Sequence, residues 1–215
     1  LVVSTPGAII KIEVSPVARG TLHQPVVMQV QESVEDEFGY AEIQVVSLPD
    51  LYGGKLCAAM DRQHPRDLFD VRMLLENEGI SREILVGFLT YALSHPRPIN
   101  EVMAPNWQPL SEKFNAEFDG MTFESVELEN IVAVRPEMLM ALQKHFTKRD
   151  HAFLMSFKGG HPDWTLFDYP SAADLPAIRW KLQNINKLIK NQAKHTEQLD
   201  KLKQVLDGWL LNTEA

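Results

Sequence analysis

The feature that most constrains this chain is a change of period. Up to about Ser47 the apolar residues fall in short β-like runs; beyond it, nearly every segment is helical by pattern. In "AIIKIEV" (8–14), Ile10, Ile12 and Val14 point one way while Ile9, Lys11 and Glu13 point the other, the pattern of a half-buried strand. "PVVMQV" (25–30) and "AEIQVVS" (41–47) are two further β-rich runs, separated by "ESVEDEFG", which reads as an acidic, solvated hairpin tip. Three short strands form a thin sheet.

After it come two helical segments, "LPDLYGGKLCAAMDR" and "DLFDVRMLLEN", divided by His64-Pro65 and stopped at Gly79. A third starts on Ser81 as N-cap and ends before "HPRPIN". Further helices are expected over 109–118, 124–132, 136–146 and 149–157, with a loop at 158–176. In that loop Gly159-Gly160 permits a tight turn, Asp163 bonds local backbone and Trp164 anchors the loop. From Ala177 to Leu211 runs an apolar seam, Ile178, Leu182, Ile185, Ile189, Leu199, Leu202, Leu206 and Trp209, with Trp180 beside it and expected in the core. It is one long helix or two antiparallel ones, with a break near His195-Thr196. The fold class is α+β: a small sheet-bearing unit over 1–75 and a mostly helical one over 76–215.

Charge and cysteine content narrow the function. A formal net charge of −8 is unsuited to general polyanion binding. No apolar run approaches the roughly 20 residues of a membrane helix. The first residues lack the basic leader and cleavage site of a signal peptide. A single cysteine, Cys57, excludes an internal disulfide, reads as a small core residue, and fits a reducing cytoplasm. The chain opens at Leu1 without a methionine, already in a strand pattern, and reads as the remainder of something longer.

The stretch "GGKLCAAMDRQHPRDLFDVRMLL" (53–75) supports two readings. In one, Asp67 caps a helix, Asp70 favours its dipole, and Lys55 and Arg62 are solvated. In the other, Lys55 and Arg62, seven apart and therefore on one helix face, reach a polyphosphate, the lysine as a mobile point charge and the arginine as a planar fork. Leu56 and Ala59 then pack on the sheet, and Asp67 and Asp70 orient Lys55 or hold a metal-bound water. His64 reads as a turn residue. No His/Cys spacing matches a zinc site, so no protein-held metal is read from spacing.

"IKIEVSP" (10–16), "KLCAAMDRQHPRDLFDV" (55–71), "FLMSFKGGHPDWTLF" (153–167) and "LPAIRWKLQNINKL" (175–188) together resemble the AbiEii/AbiGii toxin family of nucleotidyltransferases, with the middle of the chain, 76–150, alike only in helical character. The resemblance implies transfer of a nucleoside monophosphate from a nucleoside triphosphate, with magnesium, to an acceptor such as tRNA, in a bacterial toxin–antitoxin or phage-defence setting with a cognate antitoxin protein. It implies that Lys55 contacts the nucleotide with Arg62 as companion, that Asp67 and Asp70 complete the catalytic site, and that Glu13 beside Lys11 is the acidic strand position.

The Gly-Ser turn and Asp-x-Asp strand that open such sites are missing from these 215 residues. Those carboxylates hold the magnesium ions that bridge the triphosphate, so the chain is expected to bind nucleotide weakly and turn over little by itself. With strands missing, the edge of strand 8–14 or the C-terminal helices would support a homodimer. Lys187, Lys190, Lys194 and Lys201, spaced for one helix face, form a candidate RNA stripe or a solvated face. The rival to an enzyme is a non-enzymatic helical remnant that binds a partner protein or RNA.

Overall fold

The computed structural model describes residues 2–5, 7–11 and 20–212. Glu13 lies outside them, as does the end of the strand expected over 8–14.

Two antiparallel hairpins replace the single thin sheet. Strands β1 (Val2–Thr5) and β2 (Ala8–Lys11) pair Val2 with Lys11 and Thr5 with Ala8. Strands β3 (Val26–Gln29) and β4 (Glu42–Val45) pair Val26 with Val45 and Gln29 with Glu42. Among the described residues the two sheets do not join. The acidic stretch between β3 and β4 is a helix, α1 (Glu32–Phe38), rather than a hairpin tip. Glu32 and Glu35 sit in its first turn, where the helix dipole favours them, and Gly39 at φ 86° ends it.

The core is helical. Helices α2 (Leu48–Asp61) and α3 (Pro65–Asn77) form a hairpin, and α4 (Arg82–Ser94) packs against α2 over the most extensive helix contact in the molecule. Leu56 and Ala59 are fully buried in this layer, so α2 packs on α4 and not on the sheet as expected. Two glycines make the contact possible. A Cβ on Gly87 would stand 2.3 Å from the Pro49 carbonyl oxygen, and one on Gly53 would stand 2.5 Å from the Gly87 carbonyl carbon. Only bare backbone permits so close a crossing. Cys57 is buried in the same layer.

The entry to α2 is fastened by Asp50, which is 1 % exposed. Its carboxylate accepts the backbone N–H groups of Leu22 (2.7 Å) and His23 (2.9 Å) and the Ser47 hydroxyl (2.8 Å), while Ser47 caps α2 by accepting the Asp50 N–H. This knot ties the segment before β3 to the helical body.

Helix α5 (Ile99–Met103), unmarked in the sequence, follows α4, and α6 (Ser111–Glu117) comes next. The two helices expected around Pro136 are one, α7 (Leu128–Gln143). Pro136 removes the N–H that the Val132 carbonyl would accept, and both residues are exposed, where such a loss costs least. Helix α8 (Lys148–Lys158) opens with a capping box between Thr147 and Asp150. Asp150 is fully buried and meets Arg82 in a two-pronged bridge of 2.6 and 2.7 Å; Arg82 also reaches Asp168 at 2.8 Å. Burial pulls the Arg82 pKa down, but the hydrogen bonds to Asp150 and Asp168 outweigh it and hold it above the usual guanidinium value.

The loop after α8 turns at Gly160 (φ 85°), and Trp164 packs on Phe153, Phe157 and Phe167. Asp163 accepts the Thr165 N–H. Helices α9 (Pro176–Ile189) and α10 (Gln192–Leu211) then form the seam, with Ile178, Ile185, Leu202, Leu206 and Trp209 buried. The break falls at Lys190–Asn191 and not near His195, because the Asn191 side chain caps α10 through the Lys194 N–H. Trp180 is 51 % exposed, contrary to expectation; two positions beyond Ile178 it lies on the opposite side of the helix.

Candidate functional site

The α2–α3 hairpin brings the two cations and two carboxylates together as a ladder. Lys55 Nζ donates to Asp70 Oδ2 at 2.5 Å, and Arg62 Nη2 donates to Asp67 Oδ1 at 2.6 Å. The geometry follows from the turn. Helix α2 ends with Arg62 as C-cap, Gln63 takes φ 52°, and α3 starts at Pro65. Pro65 suits a first helical position, since its missing N–H has no partner there anyway. Gln63 locks the turn from beneath: its amide donates to the Asn106 carbonyl (2.9 Å) and accepts the Gln108 N–H (2.7 Å).

The cap of α3 is His64, whose Nδ1 accepts the Arg66 N–H at 3.1 Å. Asp67 was expected in that place and stands instead in the first turn. Displacement from the cap frees its carboxylate for Arg62. Among the described residues Asp67 Oδ2 is buried without a hydrogen-bond partner. A buried, unsatisfied carboxylate oxygen is costly and is an open acceptor for a donor brought by a ligand.

Arg62, His64, Arg66, Asp67, Lys113 and Glu117 line a cleft of about 570 Å³ at the turn end of the hairpin. Across it His64 Nε2 and Glu117 Oε2 lie 3.0 Å apart. That hydrogen bond is the main reason the Glu117 carboxyl is held below its ordinary pKa, opposed by slight burial and helped by the positive field of His64, Arg66 and Lys113. Three cationic side chains converge here on an otherwise acidic protein. Lys55 stands about two turns back along α2 and Asp70 about one turn on along α3, beside Tyr52, whose hydroxyl pKa is raised by burial and by Glu78 and Asp70, against the lowering effect of Lys55.

The sequence reading missed Arg66, Lys113 and Glu117. Arg66 was visible in the quoted string but was passed over. Lys113 and Glu117 come from α6, and only the tertiary fold brings them to the hairpin. Lys11, the other expected nucleotide contact, closes β2 and is exposed. The lysine stripe is divided: Lys187 is on α9, Lys190 caps it, and Lys194 and Lys201 lie on α10. Spacing along one helix therefore does not apply, and Lys201 is paired with Glu197 at 2.6 Å.

Among the described residues no group of three His, Cys, Asp or Glu side chains is placed to hold a metal ion. Asp67 and Asp70 each face a cation. This donor set does not suit a resident magnesium ion, which takes near-octahedral oxygen coordination. Nor is any helix among the described residues long and apolar enough to cross a membrane.

A mostly helical body with a cationic, carboxylate-braced hairpin is the class of protein that the fold defines. Residues 3–184 match the family model described as nucleotidyl transferase AbiEii toxin of the type IV toxin–antitoxin system. The match spans most of the chain and includes the hairpin, and the chain belongs to that nucleotidyltransferase family. No curated protein and no solved structure matches it.

Proposed function

We propose that the α2–α3 hairpin grips the triphosphate of a nucleoside triphosphate, for nucleotidyl transfer to an RNA acceptor such as tRNA. The observation that carries this reading is the ladder of Lys55–Asp70 and Arg62–Asp67 above a cleft with two further cations, Arg66 and Lys113. A free lysine or arginine is mobile in solvent, whereas one held by a carboxylate on a neighbouring helix is oriented before its ligand arrives. Lys55 and Arg62 are the nucleotide contacts, Asp67 and Asp70 orient them, and the open oxygen of Asp67 accepts a proton donor from the bound ligand. Lys11 and Glu13 remain candidate contacts. Lys187, Lys190, Lys194 and Lys201 remain candidate contacts for RNA.

Magnesium enters this reading only with the triphosphate, as part of the substrate. The 215 residues lack the Asp-x-Asp pair, so binding without efficient turnover is the proposal for this chain. An antitoxin as protein partner follows from the family's toxin–antitoxin assignment. The test incubates the protein with each nucleoside triphosphate, labelled at the α-phosphate, in magnesium with tRNA. Saturable binding with only trace label on RNA is expected. Absence of binding to all four overturns the reading, and rapid labelling overturns its claim of inefficient turnover.

A further inference from the structure

A second cationic site lies in the C-terminal half, and it shares no lining residue with the hairpin cleft. Lys158, the last residue of α8, and Lys181, in the middle of α9, are 4 % and 6 % exposed. Both line a cleft of about 290 Å³ closed by Pro96 and Pro98 on one side and by Lys194 and Gln198 of α10 on another. Burying one ammonium is costly, and burying two near each other is costlier. Among the described residues neither forms an ion pair. Lys181 Nζ donates to the His95 and Arg97 carbonyls at 2.6 and 2.5 Å, leaving one proton. Lys158 Nζ donates to Gln198 Oε1 at 3.2 Å, leaving two. Glu101 is the carboxylate whose field both feel, but it is engaged by Arg97 at 3.3 Å, and Asp61 is held by Arg97 at 2.8 Å.

We infer that this cleft binds a phosphate group, with Lys158 and Lys181 as its two buried donors and Lys194 closing over it from the rim. The cleft is small and walled in part by Pro96, Pro98, Ile185 and Leu188, which suits a single compact oxyanion rather than an extended polyanion. Asn184 and Gln198 add neutral polar groups. The first turn of α10, which carries Lys194, adds the positive end of a helix of 20 residues. Burial, and then the field of Lys158, hold Lys181 down to about 8, against the opposing effects of Glu101 and Cys57. An anion between the two ammonium groups reverses both effects. A structural lysine that only ties the 95–97 turn to α9 would gain nothing from one.

The test uses inorganic phosphate as probe, titrated at constant ionic strength and followed by NMR of the lysine side chains. Lys158→Met and Lys181→Met keep length and remove charge, and circular dichroism checks their folding. The expected result is a loss of phosphate affinity of about tenfold or more in each variant, as for removal of a charge-assisted hydrogen bond. In the wild type, saturating phosphate moves the Lys181 titration upward by about one unit. Wild-type affinity in both variants, no phosphate binding in the wild type, or an unmoved Lys181 titration overturns the inference. A nucleoside monophosphate that displaces the phosphate identifies a free nucleotide as the source, and displacement only by a short RNA identifies a nucleic-acid phosphate; either supports the site. Nucleoside triphosphate binding at the hairpin is retained in Lys158→Met, which separates this site from the proposed function.

Discussion

Lys55 Nζ and Asp70 Oδ2 meet at 2.5 Å across the α2–α3 hairpin, with both side chains more than a third exposed at 37 % and 39 %. At such exposure the pair contributes little to stability, since screened surface ion pairs are worth about 0–1 kcal/mol. Asp70→Asn is therefore expected to shift the urea midpoint only slightly while weakening nucleotide binding severalfold, because it releases Lys55 from its orientation. Chemical denaturation beside nucleotide titration checks this. A large stability loss with unchanged binding would make the pair a structural brace.

The crossing of α2 and α4 is the opposite case. Gly87→Ala places a methyl against the Pro49 carbonyl at 2.3 Å, and backbone cannot yield as a flexible side chain would. A loss of about 1–3 kcal/mol or more is expected in urea unfolding, the range of overpacked cores. Gly79→Ala serves as contrast: among the described residues nothing beyond its chain neighbours stands within 4 Å of a Cβ placed there, so the cost comes from its φ of 70°.

These two contacts show what the sequence could and could not carry. The spacing of Lys55, Arg62, Asp67 and Asp70 put the two cations on one helix face and both carboxylates within reach of Lys55. The division of the carboxylates, Asp70 to Lys55 and Asp67 to Arg62, depends on the hairpin turn and was not legible. Nor was the cap: Asp67 is a better cap by residue type than His64, and only the placement of Pro65 at the first helical position moves the cap back by three residues. Gly53 and Gly87 gave no sign of each other, since a close helix crossing depends on tertiary approach. The division of the lysine stripe was hidden for a local reason. Asn191 interrupts an otherwise helical pattern with a side-chain cap that spacing does not record. Lys158 and Lys181 carry no signal in the sequence, because only the tertiary fold brings the 96–98 turn, α9 and α10 around them.

The Arg82–Asp150 bridge should be among the most sensitive contacts to single substitution. Asp150 is fully buried and also closes the capping box of α8. Arg82→Met leaves that carboxylate uncompensated, with an expected cost of about 3–5 kcal/mol in equilibrium unfolding. The double variant with Asp150→Asn should recover part of the loss, because the orphaned charge is gone. Equal losses in the single and double variants would show that the charge itself is not at issue.

Lys181 gives a pH signature in phosphate-free buffer. Its folded pKa is lowered to about 8 from 10.5. Between those values the unfolded chain holds the proton that the folded chain has released, so stability rises with pH through that window. Below pH 8 the cost of burying the charge is present in full. Facing this ammonium are Lys158 from α8, Glu101 from α5, Cys57 from α2 and the rim residue Lys194 from α10. In Lys181→Met the rise should flatten relative to the wild type. Parallel stability curves from pH 7 to about 10.5 would contradict the assignment.

The central claim is that Lys55 meets a nucleotide. Its most direct measurement is isothermal titration of GTP with magnesium into the wild-type chain and into Lys55→Ala. The account expects saturable heat from the wild type and an affinity at least about tenfold weaker in the variant, whose stability falls by no more than about 1 kcal/mol. Equal heats and equal affinities in the two proteins would contradict it.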